Sequence, residues 1–336
     1  MVPILVLWDG PIKTNHIDGE YEAFDLIERN EVAKGHSYII LRRKKPEKYW
    51  WAWYETETPE PVSLAHRTPI MSLKIKNPSL QIQRSYTPLT LSPNEIHLLV
   101  KRYPDGELSR FLHILTPGLA TVWVNQGRQE WVYEEGEWDH VVFVAGGTGI
   151  TPAFQLCLTA LQRQKFRGEV DSRVKKTRFS VLAAAKDAGS VLLRDDFEAM
   201  RQSHGDGYLD VRYFLDNAPK GTKLPGDVHP GPITEKILQQ TIRPTSSVGG
   251  GWFSKSSTSK AGKETDEKVM VLVCGPDGFT RYISGDHGGV TSKQGPKGGL
   301  LEKIEGIEVF KMLESRDDDI FNPPKTRRGI PVMKVE

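Results

Sequence analysis

Apolar positions follow two different rhythms along the chain. Between residues 22 and 137 they fall in short pieces, "SYIILRR", "IMSLKIK", "LQIQRSY", "EIHLLVKRY" and "TVWVNQ", separated by proline, glycine and asparagine. Short strands with such punctuation predict an antiparallel barrel or sandwich. From residue 139 the pattern changes to "VVFVA", a helix over 152–164, "RFSVLAAA", a helical "VLLRDDFEAMRQ", "LDVRYFL", a helical "ITEKILQQTI" and "VMVLVCG". Strands alternating with helices predict a parallel sheet. The change falls in "EEGEWD", residues 134–139.

Four segments stand outside this pattern. Residues 1–21 read as an N-terminal extension. Residues 244–267, rich in Ser, Gly and Lys, cannot bury a core and read as a disordered insertion; a decorated flexible loop is the default, and a docking spot at Trp252 and Phe253 the alternative. Residues 314–336, with "RDDD" and "KTRRG", read as a mobile tail. Trp50, Trp51, Trp53 and Tyr54 cluster closely; core or loop packing is the default, and contact with a partner or membrane surface the alternative.

Composition narrows the chemistry. In 336 residues, 45 Lys and Arg nearly balance 43 Asp and Glu, so the net charge of +2 provides no footprint for nucleic acid. The two cysteines, Cys157 and Cys274, are too few for an iron-sulfur cluster or a structural zinc site, and redox chemistry would need an organic cofactor. No apolar run approaches the roughly 20 residues of a membrane-spanning helix, and no targeting leader or membrane anchor is recognisable. The expectation is a soluble chain without an address. Hydrolase signatures such as G-x-S-x-G, H-E-x-x-H and the P-loop are absent.

The stretch "VFVAGGTGITPAFQL" (143–157) carries the first chemical signal. A buried strand stops at Gly146-Gly147, and Thr151-Pro152 starts a helix, the hydroxyl capping free amides and proline suiting the first helical position. Glycines let backbone approach a ligand, and the helix N-terminus offers unpaired amides, so the loop suits a pyrophosphate. In "RSYTPLT" (84–90), Arg84 and Tyr86 share a strand face before Pro88 ends regular pairing. An arginine, an aromatic ring and the Thr87 hydroxyl together fit a flavin nucleotide. "VKRYPDGELSRFL" (100–112) puts Lys101 and Tyr103 on one face, then a turn and a helix start that could receive phosphate. "VLVCGPDGF" (271–279) is a buried strand with Cys274 at the carboxyl edge of the sheet, where α/β proteins bind ligands.

These four pieces, in this order, resemble the ferredoxin-NADP reductase superfamily, and within it the cytochrome b5 reductase branch, over roughly residues 22–313. The resemblance implies an antiparallel six-stranded FAD-binding barrel (22–137) followed by a parallel-sheet α/β nicotinamide-nucleotide domain (138–313). It implies that Arg84 meets the FAD pyrophosphate, Tyr86 the flavin and ribityl region, and Thr87 with Pro88 the isoalloxazine side. Lys101 and Tyr103 would support flavin and ribityl, and the Gly106, Leu108 and Ser109 segment would cradle the FAD phosphates. Gly146, Gly147, Thr148, Gly149, Thr151 and Pro152 would receive the nucleotide pyrophosphate, with Cys274, Gly275 and Pro276 beside the nicotinamide. Thr87 and Cys274 are the candidate catalytic residues. Hydride would pass from NADH to FAD, and single electrons from there to a haem protein of cytochrome b5 or cytochrome c type.

The chain departs from the branch at Phe279, where methionine is usual, and lacks an R-G-P before the domain boundary. "AAAKDAGSVLLRDDF" lacks a 2'-phosphate pattern, which favours NADH, while Lys186 keeps NADPH open. The start "YEAFDLIERNEVAKGHSYIILRR" and the end "QGPKGGLLEKIEGIEVFKML" are similar to the flavoprotein family of the mitochondrial cytochrome c import factor. That likeness implies an inner-membrane, intermembrane-space location, with a leader and anchor preceding Met1. Two rival readings stand beside the reductase: an FAD-containing assembly factor without turnover, and a reductase of a small-molecule or quinone acceptor.

Overall fold

The computed structural model describes residues 21–44, 67–77, 82–92, 94–125, 127–170, 175–205, 207–219, 221, 223–243, 267–285 and 299–313. The N-terminal extension before Tyr21, the Trp50 to Tyr54 cluster, residues 244–266 of the expected insertion and the 314–336 tail lie outside them.

The first half is a curled antiparallel sheet. Its strands are β1 (Tyr21–Ala33), β2 (His36–Arg43), β3 (Arg67–Asn77), β4 (Ile82–Tyr86), β5 (Thr90–Leu91), β6 (Glu95–Lys101), β7 (Thr121–Asn125) and β8 (Arg128–Glu134). The order is β4-β3-β7-β1-β2-β6-β5, with β8 pairing β3 off this path. Eight strands therefore stand where six are expected, and they form an open half-barrel. Two features account for the difference. β5 is only two residues long, and β3 is long enough to serve two neighbourhoods, pairing β8 through Arg67–Ser72 and β4 through Leu73–Asn77. Phe24, Leu26, Ile39, Leu41, Leu73, Ile75, Leu98 and Val122 fill the concave side. Helix α1 (Glu107–Ile114) adds Leu108 and Leu112 to that core, four residues apart on one helical face.

The second half is a parallel sheet of β9 (His140–Gly146), β10 (Arg178–Ala185), β11 (Leu209–Leu215), β12 (Val228–Pro230), β13 (Val269–Gly275) and β14 (Ile307–Leu313). The order is β12-β11-β10-β9-β13-β14. Every residue of β9 is buried because both faces of the sheet are covered. Val141, Phe143 and Ala145 join one core, and Val142 and Val144 the other. The covering helices are α2 (Thr151–Val170), α3 (Arg194–Met200), α4 (Glu235–Ile242) and α5 (Asp277–Ser284).

Helix α2 differs from its expected form at both ends. A 3₁₀ turn, Gly147–Ile150, runs directly into it, and Thr151 already has helical geometry (φ −64°, ψ −39°). Thr151 is thus the first residue of the helix rather than a cap outside it. At the other end the helix continues to Val170. The helix expected in "VLLRDDFEAMRQ" begins only at Arg194, because Leu193 adopts left-handed geometry (φ 58°), and it passes into a π-helical turn at Arg201.

The two halves share one apolar core, in which Ile70, Leu89, Leu99 and Tyr133 of the first pack with Phe143, Ile150 and Phe154 of the second. Helix α2 fastens them with polar groups as well. The Met71 amide donates to Gln155 Oε1 at 2.6 Å, and Gln155 Nε2 donates to the Pro88 carbonyl at 2.8 Å. Farther along the helix, Arg163 donates to the Arg67 carbonyl at 2.6 Å and to the Thr68 hydroxyl at 3.1 Å.

Candidate functional site

Strand order places the site. From β9 the chain proceeds to β10, β11 and β12 on one side, then returns to β13 on the other side of β9. The order reverses between β9 and β13, and the carboxyl ends of the strands at such a switch point are where parallel α/β sheets bind ligands. The segment after β9 is Gly147-Thr148-Gly149-Ile150, and β13 ends in Cys274-Gly275 with Pro276 following.

The glycines are required by close approach. A Cβ on Gly149 would lie 2.3 Å from the Cys274 carbonyl oxygen, so the two loops touch backbone to backbone. Gly147 has φ +55°, which a side chain would strain. The Phe279 ring fills the space above the other two glycines: added Cβ atoms on Gly146 and Gly275 would come within 2.8 and 2.9 Å of it. The departure at 279 is therefore a packing element of both loops. Cys274 is half-buried and packs at the edge of the shared core, whereas Cys157 is enclosed, and burial pushes its thiol pKa far up. Of the two thiols, Cys274 is the one at the switch point.

The sheet edge of the first half contributes the second group. Arg84 and Tyr86 lie on β4 opposite Ile75 and Leu73, so both share one face, as the strand alternation predicts. Tyr86 packs against the barrel core, and Arg84 donates to the Gln83 carbonyl at 2.7 Å. Thr87 and Pro88 leave the strand, and the Pro88 carbonyl is the one held by Gln155, about one turn along the helix that follows the glycine loop. One helix thereby connects the "GGTGITP" loop to the end of "RSYTP".

At the end of β6, the Lys101 ammonium stands 4.9 Å from the centre of the Tyr103 ring, the cation over its face. Helix α1 follows with Gly106 as its N-terminal flanking residue and no side chain capping its first turn. The Ser109 hydroxyl accepts from the Tyr103 amide at 3.1 Å and donates to the Gly106 carbonyl at 2.9 Å, so it closes the turn. The uncapped amides of Glu107 and Leu108 are the groups this turn offers an anion.

One residue of interest escaped the motif reading. Asp187 sits just beyond β10, the strand beside β9, and its carboxylate accepts from the Ser190 hydroxyl at 2.5 Å. That hydrogen bond, together with backbone amides, lowers its pKa. An acidic residue at the end of the second strand is the general device for holding a ribose 2'-hydroxyl. Strand spacing alone could have pointed to it.

Residues 143–285 match the family described as oxidoreductase NAD-binding domain. Over 207 residues the chain is 34% identical to NADH-cytochrome b5 reductase 1 of Cryptococcus neoformans var. neoformans serotype D, covering 61% of each chain. Over 238 residues it is 29% identical to NADH-cytochrome b5 reductase 2 of Botryotinia fuckeliana, covering 69% of this chain and 58% of that one. The chain thus spans less than two thirds of the length of these relatives. Among solved structures, the cytochrome b5 reductase domain of Ulva prolifera nitrate reductase is similar with a TM-score of 0.53 at 20% identity, covering 78% of this chain and 90% of that one. The flavohem-like FAD/NAD-binding domain of Vibrio cholerae nitric oxide dioxygenase gives 0.53 at 16% identity, with 87% and 98% covered. These two likenesses show a shared two-domain fold.

Proposed function

Because the chain belongs to the ferredoxin-NADP reductase superfamily, on its cytochrome b5 reductase-like side, we propose that it is an NADH-dependent flavoprotein reductase delivering electrons to a haem protein. The observation that carries this reading is the convergence of three motifs. The glycine loop touches the Cys-Gly-Pro loop at the strand switch, and the helix leaving the glycine loop holds the "RSYTP" segment.

The residues present fit FAD and NADH: the glycines leave room that a Cβ would fill, and the turn before α1 exposes uncapped amides. When bound, the pair supplies hydride transfer from nicotinamide to flavin and the division of two electrons into single ones. The protein's own work is placement. Arg84 would neutralise the FAD pyrophosphate, Thr87 would donate to the ring edge, and the Glu107 and Leu108 amides would take the remaining phosphate charge. Gly147, Thr148 and Gly149 would hold the NADH pyrophosphate against the N-terminus of α2. Cys274 would lie beside the nicotinamide and keep water from that face, acting by position and polarisability. Asp187 would accept from the adenosine 2'-hydroxyl and repel a 2'-phosphate, which supports NADH over NADPH.

The acceptor class follows the relatives named for cytochrome b5. The likeness of the chain's two ends to the mitochondrial cytochrome c import factor supports a finer reading, haem reduction during cytochrome c assembly at the mitochondrial inner membrane. The deciding experiment is anaerobic NADH addition to the purified protein, followed by a visible spectrum, then comparison of cytochrome b5, cytochrome c, free haem and quinones as oxidants. Bleached flavin bands restored fastest by a haem protein are expected. A colourless protein would remove the flavin assignment. Flavin bands that persist would favour a non-catalytic assembly factor, and a preference for quinones a small-molecule reductase.

A further inference from the structure

A cavity of about 260 Å³ lies between the β1–β2 hairpin, the end of β6 and helix α1, lined by Arg29, Glu31, Gly35, Ser37, Arg102 and His113. None of the residues assigned above to the flavin or the nicotinamide nucleotide is among them. The lining is polar and asymmetric in charge. Arg29 and Arg102 face a single carboxylate, Glu31, which already accepts from the Gly35 amide at 2.9 Å on the hairpin turn. One positive charge is left in excess.

Hydrogen bonding among the described residues is incomplete at two buried atoms of this lining, the Arg29 Nε, which can only donate, and the His113 Nε2, which accepts in the neutral ring and donates to an oxyanion once the ring is protonated. Ser37 is only 3% exposed. Arg29 donates through one terminal nitrogen to the His113 carbonyl, the last turn of α1, while its Nε is shielded from solvent without a partner among the described residues. His113 Nδ1 lies 2.7 Å from the Ser109 carbonyl. A carbonyl only accepts, so that nitrogen carries the proton, and Nε2 is the one left buried and unpartnered. Buried polar atoms without partners are rare enough to call for an explanation.

We propose that this cavity is a binding site for a small oxyanion of phosphate size, held by the Arg29 and Arg102 guanidinium groups, the Ser37 hydroxyl and the protonated His113 ring. Two guanidinium forks, a hydroxyl and an imidazolium are the donor set that a compact anion with several oxygens can satisfy together. Binding is coupled to a proton. Burial and then the nearby Arg29 and Arg102 charges hold the His113 pKa below its ordinary value. An anion between them offsets those charges and raises it, so affinity increases as the pH falls. The other charged or titratable groups around the ring are Glu31 on β1, which opposes the anion, and His36 and Lys101 on β2 and β6. His36 is itself held low, chiefly by burial and then by Lys101 and His113.

The test titrates inorganic phosphate into the full-length, FAD-loaded protein while following histidine ring resonances by NMR, with chloride at matched ionic strength as the control. His113 is picked out among the nine histidines by the signal lost in His113→Gln. The expected result is a saturable shift of that signal with an upward move of its titration midpoint, both absent in Arg102→Gln, an exposed position whose change spares the core. An equal effect of chloride, an unchanged response in Arg102→Gln, or a response seen only without FAD would each overturn the proposal. The last outcome would mean that the cavity is part of the flavin site.

Discussion

Gly149 has room for no side chain, because the Cys274 carbonyl carbon lies 2.5 Å from where its Cβ would be. Backbone cannot yield as a flexible side chain can, so Gly149→Ala should separate the two loops. The expected outcome is at least tenfold weaker NADH binding by titration of the flavin-loaded protein, with flavin content retained. Cys274 and Cys157 make a second contrast. With one thiol at the switch point and the other enclosed in the core, iodoacetamide should alkylate Cys274 first, and NAD⁺ should slow it; mass mapping that finds Cys157 modified at the same rate would contradict this placement. His140 supplies a pH dependence. Burial, then the charges of Arg178 and Arg212, lower its pKa from 6.5 to about 3. The folded state therefore keeps it neutral while the unfolded chain binds a proton below pH 6.5. Its contribution to stability is full above that pH and is lost as the pH falls toward about 3, with a slope of up to about 1.4 kcal/mol per pH unit. Denaturant melts of His140→Gln between pH 7 and 4 should show a shallower loss.

Among elements, α2 has the most to do. It begins at the nucleotide loop, packs Phe154 and Leu161 into the shared core and fixes the first half through Gln155 and Arg163. Gln155→Leu keeps the volume but strands the Met71 amide and the Pro88 carbonyl away from water. A buried group left unpaired costs about 1–3 kcal/mol, so the melting temperature should drop by several degrees. Flavin reduction by NADH should slow as well, since the "RSYTP" segment loses its tether to the nucleotide domain. Gln155→Glu, which still accepts from Met71 but cannot donate to Pro88, separates the two halves of the effect. If Gln155→Leu melts and reduces like the parent, α2 is only a core helix.

At the scale of the molecule, a single helix and a single apolar core make the two halves mechanically one, which suits chemistry between two cofactors held by different domains. The proposed preference for NADH rests on Asp187, which stands just beyond the end of the strand beside β9. Asp187→Ser should raise the kcat/KM for NADPH relative to that for NADH by at least tenfold, with Lys186 beside it free to meet the 2'-phosphate. An unchanged ratio would detach Asp187 from the ribose. Among the described residues, no helix is long and apolar enough to cross a membrane and no cluster of potential ligands could hold a metal ion.

Local chemistry is legible in the amino-acid sequence by itself. β13 falls where its apolar run "VMVLVCG" puts it, because a strand covered on both faces is apolar throughout, and β10 and β11 follow the runs "RFSVLAAA" and "LDVRYFL", which Ser180, Asp210 and Arg212 interrupt. The change from antiparallel to parallel sheet, and the glycines that demand close backbone approach, can be read in the same way. Strands with a weak or mixed pattern cannot. The bulged β1 buries only Phe24 and Leu26 among its thirteen residues, β8 is mostly polar, and β12 is three residues long. Each acquires its conformation from a neighbour's hydrogen bonds rather than from its own residues. Tertiary structure alone decided that Gly149 meets Cys274, 125 positions away in the chain, and that Phe279 packs against Gly146. It also brought Arg29, Ser37, Arg102 and His113 around one cavity. These are contacts between residues distant in sequence, and no local pattern encodes which distant partner a side chain will find.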